Sequence, residues 1–363
     1  MLIDLGILIV KAAIVLTMAL SLAGVLGWVE RKGSALIQDR IGANRASVFG
    51  VAALGLVNTL MADPLKFLTK EDVIPAGVDR LLHTLAPIVN AVPILVAFAA
   101  IPIGDVLRIG DRVISLQVVQ LNVGVLYVLA MVSISVYGVV LGGWASNNRL
   151  ALLGGIRGSA QMISYELGMG LSILAVVMTY GTLDLQAMVR AQGHLIGGWF
   201  PAWGILYQPI AFLLFLTAGI AESKRVPFDL PEGESELVAG FFTEYSGVKH
   251  LLFFMSDFLE VAVVAGMVTT MFFGGWQLPY LQSDGFHLPW GGMLLLPQFV
   301  VALLQVLTFM VKVMFFCWLQ ILIRWTMPRL RYDQLMALGW KGLLPASLVN
   351  MLVTGAVVLA AQG

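Results

Sequence analysis

The sequence predicts an all-α integral membrane protein with about eight transmembrane helices and amphipathic cytoplasmic connections. Three observations carry this. Of 363 residues, 59% are hydrophobic and only 12% charged, with a mean hydropathy of +0.92, which overrides the two-domain soluble prior that length alone suggests. Apolar runs long enough to cross a bilayer core, about 20 residues each, recur along the chain. Basic residues concentrate on alternate connections, as in polytopic membrane proteins.

Eight segments qualify as spans, near residues 5–29, 81–104, 116–141, 162–183, 203–221, 250–275, 298–323 and 342–361. The first is too long for a signal-peptide core and follows Asp4 rather than a basic stretch, so it reads as a retained span. The odd-numbered connections carry Arg31, Lys32, Arg40, Arg45, Lys66, Lys70, Arg80, Arg149, Arg157, Lys224, Arg225, Lys249, Arg324, Arg329, Arg331 and Lys341, whereas the even-numbered ones carry Arg108, Arg112 and Arg190. This skew puts the odd connections in the cytoplasm and both termini outside.

Two connections are more than loops. Within residues 30–80, the stretch from Val48 to Ala62 is apolar but shorter than a span, so it is either an interfacial helix or one packed on a partner. In residues 222–249, Val226, Phe228, Leu230, Leu237, Val238, Phe241 and Phe242 alternate with acids, and Pro227 and Pro231 stiffen the chain. No stretch reads as a separate soluble domain, so residues 1–363 form one membrane unit.

Twenty-one basic residues balance twenty-one acidic ones, which leaves no basic excess for nucleic acid. Cys317 is the single cysteine, so the chain alone builds neither a disulfide nor a cysteine-ligated cluster. His83, His194, His250 and His287 lie far apart without metal-ligand spacing, and no phosphate loop or dinucleotide fingerprint occurs. Redox cofactors, where needed, belong to partners.

Ionisable groups inside a membrane are costly and face protein or water. Glu166 falls about one turn into the fourth span, Glu222 ends the fifth, Asp257 and Glu260 share a face of the sixth, and Lys312 lies mid-way in the seventh. Lys11 reads more simply as a side chain snorkelling to the outer interface. Glu222 is either a buried acid or an interfacial partner of Lys224 or Arg225. Lys312 is either a relay member or the counter-ion of an acid on a neighbouring span. Buried carboxylates prefer their neutral form unless a cation compensates, so a row of them exchanges protons near neutral pH. Glu232, Glu234, Glu236 and Glu244 follow one another with no basic residue among them. They form either a solvated acidic loop or a funnel to the buried acids.

Five motifs then carry a resemblance: Glu30-Arg31-Lys32 with Gln38, Arg40, Gly42 and Asn44; Ala62-Asp63 with Lys66 and Lys70-Glu71-Asp72; Gly142-Gly143-Trp144 through Arg157 and Gln161 to Ser164-Tyr165-Glu166; AESKRVPFDLPEGESELVAGFFTEYSG from Ala221 to Gly247; and Arg324 with Pro328-Arg329 and Arg331-Tyr332-Asp333-Gln334. In this order the chain resembles the membrane subunit that closes the quinone site of respiratory complex I, the family of the bacterial NADH-quinone oxidoreductase H subunit and of mitochondrial NADH dehydrogenase subunit 1. The resemblance implies a quinone chamber lined or braced by Arg31, Arg40, Asp63, Lys66, Arg225 and Arg324. It also implies an acidic path through Glu166, Glu222, Glu232, Glu234, Glu236, Glu244 and Asp257, to which Glu260 adds an acid. Quinone is then a substrate, with NADH, FMN and iron–sulfur clusters on partners. Those partners are the peripheral-arm iron–sulfur and quinone-site subunits, small membrane subunits, antiporter-like pump subunits and lipid, in the bacterial inner membrane. An anchor subunit of a membrane-bound hydrogenase and an autonomous secondary transporter are the competing readings.

The chain departs from the family pattern at Ala43 (usually proline), Asn58-Thr59 (usually Gln-Pro) and Asp257 (usually glutamate). Glu260 is an extra acid, and Lys224 is a charge where a neutral residue is common.

Overall fold

A computed structural model describes residues 2–42, 55–109, 112–197, 199–282, 284–287 and 292–362. The helices are α1 (Leu2–Ile37), α2 (Gly55–Thr69), α3 (Arg80–Ala97), α4 (Gly124–Ala145), α5 (Arg149–Tyr180), α6 (Leu185–Ala191), α7 (Gly204–Tyr207), α8 (Pro209–Glu222), α9 (Glu234–Leu237), α10 (Gly247–Phe272), α11 (Gln298–Thr326), α12 (Tyr332–Ala337) and α13 (Leu344–Gln362). A π-helical turn over Leu338–Leu343 joins α12 to α13. Among the described residues seven helical segments are long and apolar enough to cross a membrane, and α8 is a shorter apolar eighth.

Local chemistry explains where these helices begin and end. Asp79 caps α3 by accepting from Leu81 N and Leu82 N, and Asn148 caps α5 through Leu150 N, each satisfying free amides of a first turn. Gly181 ends α5 in the left-handed region at φ 67°, where glycine is unstrained. Because Asn148 starts α5 early, the helix spans 32 residues, and Glu166 sits near its middle rather than one turn in. The expected fifth span is broken: Gln208 leaves helical geometry and Pro209 opens the 14-residue α8, about 21 Å long at 1.5 Å per residue. That is less than a bilayer core of about 30 Å.

Short strands, absent from the expected all-helical plan, decorate the even connections. β1 (Val106–Ile109) pairs antiparallel with β2 (Arg112–Ser115), β3 (Leu195–Ile196) with β4 (Phe200–Pro201), and β6 (Gly285–His287) lies between β5 (Leu281–Gln282) and β7 (Met293–Leu295). They occupy backbone that has left the helices and still requires hydrogen bonds.

α10 is the central helix, buried from Ser256 to Phe272. α1 and α13 instead turn Ile9, Ile14, Val353 and Leu359 outward, as lipid-facing helices do. Close crossings use glycine: a Cβ on Gly138 of α4 would lie 2.5 Å from Asn90 N of α3, so the two backbones meet there only without a side chain.

Contacts sort the connections into two ends. At one end Lys11 donates to Gln117 O at 2.9 Å, Arg190 pairs with Asp105 at 2.7 Å and Gln192 donates to Thr270 O at 2.9 Å. At the other, Lys249 pairs with Asp72 at 2.9 Å, Arg157 with Glu236 at 2.6 Å and Arg329 with Asp229 at 2.8 Å. The odd connections thus meet one another, as do the even ones. Ala43 and residues 48–54 lie outside the described residues, and α2 carries the rest of the apolar stretch. Asn58 and Thr59 fall within α2, but their side chains are outside the described set.

Candidate functional site

The odd-connection end gathers most of the expected residues into separate groups. The first joins α1 to α2: Arg31 Nη2 lies 2.8 Å from Asp63 Oδ2, and both are partly exposed. Arg40 lies on the turn after α1, its Nε donating to Gln38 Oε1 at 2.8 Å, and Lys66 is exposed on α2. Neither Arg40 nor Lys66 joins the buried groups.

The second group centres on Glu30, a residue that sequence motifs mark without giving it a role. Its carboxylate takes Arg225 Nη1 at 3.4 Å and also pairs with Arg324. Arg225 is buried, and its guanidinium lies 4.3 Å from the centre of the Phe258 ring. Burial opposes the Arg225 charge, yet Glu30, Asp257, Glu232 and Asp229 outweigh it and hold the guanidinium more firmly protonated than usual.

The connection from Ser223 to Ser246 folds inward. Phe228, Leu230, Leu237 and Phe241 are buried, so its apolar residues hold it against the helices. Gln161 of α5 donates to Ala221 O at 2.6 Å and Phe228 O at 2.8 Å, which satisfies carbonyls the turn would otherwise leave unpaired. Buried Asp229 is raised by desolvation, against the pull of Arg329 and Arg324. Desolvation likewise lifts Glu232 to about 8, with Asp257 and Asp229 adding repulsion and Arg225 and Arg324 opposing it.

The remaining acids of this connection disperse. Glu236 turns out to Arg157, and Glu244 accepts from Asn148 Nδ2 at 2.7 Å. Glu234 is helical in α9, with its side chain outside the described set. Among the described side chains of this run, Glu232 is the acid that interacts with the buried charges.

Deeper in the helices lie Glu222, Asp257 and Glu260, all buried. Lys224, fully buried, reaches Asp257 Oδ1 at 3.2 Å and Glu260 Oε1 at 3.0 Å. Glu260 also accepts from Ser135 of α4 at 3.3 Å. Glu222 and Glu260 together line a cavity of about 20 Å³ walled by Val128, Met169 and Phe215. Among the described residues, Glu222 Oε2 and Glu260 Oε2 accept no hydrogen bond. Glu166, half-buried, is hydrogen-bonded by Ser133 of α4. Chemically this is a set of carboxylates in low dielectric, three of which (Glu222, Asp257 and Glu260) have an oxygen that accepts no hydrogen bond among the described residues, gathered beside the buried Lys224 ammonium.

Lys312 has no carboxylate partner among the described residues, so the counter-ion reading is not what the fold builds. Its ammonium donates to Phe273 O at 2.8 Å, Gly275 O at 3.0 Å and Gln277 O at 2.7 Å, and lies 4.9 Å from the Trp203 ring centre. It caps the carbonyls where α10 ends, a structural use of a cation at a helix C-terminus.

Fold and site together define a polytopic membrane protein with buried, cation-balanced acids. The family model described as NADH dehydrogenase matches residues 10–355, and the chain belongs to that family. It is 48% identical over 356 residues to the NADH-quinone oxidoreductase H subunit 1 of Geobacter metallireducens, covering 98% of both chains. It is 49% identical to the H subunit 2 of Geobacter sulfurreducens, again covering 98% of both. It is also similar to the H subunit 1 of Cytophaga hutchinsonii, 44% identical over 95% of this chain and 94% of that one.

Proposed function

We propose that this chain is the quinone-chamber subunit of a proton-translocating NADH:quinone oxidoreductase. It helps bind quinone at the junction with the peripheral arm and couples quinone reduction to proton pumping through buried carboxylates. It is not catalytic alone. The observation that carries this reading is that Arg225, tied to Glu30 and Arg324, directly follows in its turn Lys224, around which the buried acids gather. Cations suited to a reduced head group are thereby continuous with groups suited to proton exchange.

Reducing a quinone to quinol adds two electrons and two protons, so negative charge on the head group must be stabilised and protons supplied nearby. Arginine suits the first task because its charge persists at any working pH and its donors have fixed directions. Asp63 holds Arg31 at 2.8 Å and so fixes where that charge points. Glu232, titrating at about 8, suits the second task. Glu222, Glu260, Asp257 and Glu166 continue the path toward antiporter-like subunits.

Electrons reach the quinone from an iron–sulfur cluster on the peripheral arm, which also holds FMN and accepts NADH. The protein resides in the bacterial inner membrane with its termini in the periplasm, consistent with the basic skew of the odd connections. Arg31→Ala and Asp63→Asn test the chamber. Both should depress NADH:quinone activity far more than NADH:ferricyanide activity, which draws electrons upstream. Parallel loss or full retention of both activities in assembled complex would remove these residues from the chamber.

A further inference from the structure

Lys224 follows the end of α8, two residues after Glu222. Its backbone takes φ 54°, a left-handed conformation that costs a lysine, and its side chain is wholly buried. Burying an ammonium is unfavourable unless it is paired, and here it has two partners. Asp257 at 3.2 Å and Glu260 at 3.0 Å stand three residues apart on one face of α10. The base and the acid that the resemblance marks as additions are therefore one contact.

Charge decides what this trio can do. With both carboxylates ionised it carries one net negative charge; with one proton bound it is neutral. Without the ammonium, two neighbouring carboxylates in a dry site do not both ionise, because each penalises the other. Ser135 holds Glu260 Oε1 from α4 at 3.3 Å, while Glu260 Oε2 accepts no hydrogen bond among the described residues. Glu260 shares the cavity of about 20 Å³ with Glu222, about the room one water occupies. Other charges bearing on these groups are Glu166 acting on Glu222, and Glu232, Arg225 and His250, each interacting with Asp257.

We propose that Lys224 is a positioning residue of the acidic path: its ammonium pairs with Asp257 and leaves Glu260, which shares a cavity with Glu222, as the group that exchanges a proton with Glu222. The step is balanced. The O–H bond of neutral Glu222 breaks as one forms on ionised Glu260, the trio passes from minus one to neutral, and Glu222 is left ionised. This rests on the acidic path proposed above.

The test uses assembled complex in sealed vesicles, comparing the pH profiles of NADH-driven proton pumping and quinone reduction. Lys224→Asn suits the left-handed backbone and removes the cation. The acid limb of pumping should then move up by about 1 to 3 pH units. Glu260→Gln alone should depress pumping, because Lys224 and Asp257 remain as a closed pair with no proton to exchange. The double variant Lys224→Asn/Glu260→Gln leaves one exchangeable carboxylate and should recover pumping that Glu260→Gln loses. If Lys224→Asn does not assemble, Glu260→Gln and the double variant still decide. A wild-type profile in Lys224→Asn or Glu260→Gln, or a double variant as impaired as Glu260→Gln alone, overturns the proposal while an impaired Glu222→Gln leaves the path standing. Unimpaired pumping in Glu222→Gln overturns the path itself.

Discussion

Glu30, near the end of α1, pairs with Arg324, 294 residues away at the end of α11, and so fastens the first long helix of the bundle to one of its last. The same carboxylate takes Arg225 at 3.4 Å. Glu30→Gln removes the only charge in this trio opposed to two guanidinium groups, both largely buried. Breaking such a pair from one side costs about 3 to 5 kcal/mol. The variant complex should melt at lower temperature, and adding Arg225→Gln should restore part of the loss. An unshifted melting curve would show that this junction does not hold the helix ends together.

Lys312 should behave as structure, not as a relay. Lys312→Met leaves the carbonyls of Phe273, Gly275 and Gln277 without their shared donor. One charge-assisted hydrogen bond is worth about 1.5 to 3 kcal/mol, so yield and thermal stability should fall by at least that much. In the complex that does assemble, the pH profile of pumping should match wild type. A displaced profile with normal stability would return Lys312 to the proton path.

Glu232 should give the protein a measurable pH dependence. With its folded value near 8 against about 4.3 in an unfolded chain, the folded protein keeps a proton that the unfolded chain has lost. Its stabilising contribution is present at low pH and declines as pH rises through that window. Glu232→Gln should flatten this decline in melting temperature. A slope identical to wild type would mean that Glu232 ionises near its ordinary value.

Orientation is open to direct labelling. With Cys317 replaced by alanine, cysteines at Trp199 and Asp333, both exposed, should react with an impermeant thiol reagent from opposite faces of sealed vesicles, Trp199 from the periplasmic one. Reaction of both from the same face would contradict the topology.

The membrane helices were legible in the sequence because an apolar run of about 20 residues has few other uses. Their ends were less so. α5 begins at Arg149, well before its apolar core, through the Asn148 cap and close packing of small residues on α4. The short strands left no pattern, because two to four residues carry no periodicity.

At the site, residue types were legible but partners were not. Lys224 read as a surplus charge because Glu260 lies 36 positions later, and only the fold brings them together. Glu30 read as a motif letter because Arg225 lies 195 positions away. Lys312 read as either a relay member or a counter-ion because its backbone carbonyl partners, which every residue has, leave no mark in sequence.

The most direct test of the central claim is proton pumping by complex carrying Glu222→Gln, reconstituted in liposomes and driven by NADH and quinone. The amide keeps the shape of a buried side chain and removes its exchangeable proton. Pumping with its coupled quinone reduction should fall more than about tenfold, about 1.4 kcal/mol on the limiting barrier, while assembly and NADH:ferricyanide activity persist. Undiminished pumping by the assembled variant would contradict a carboxylate path through this chain.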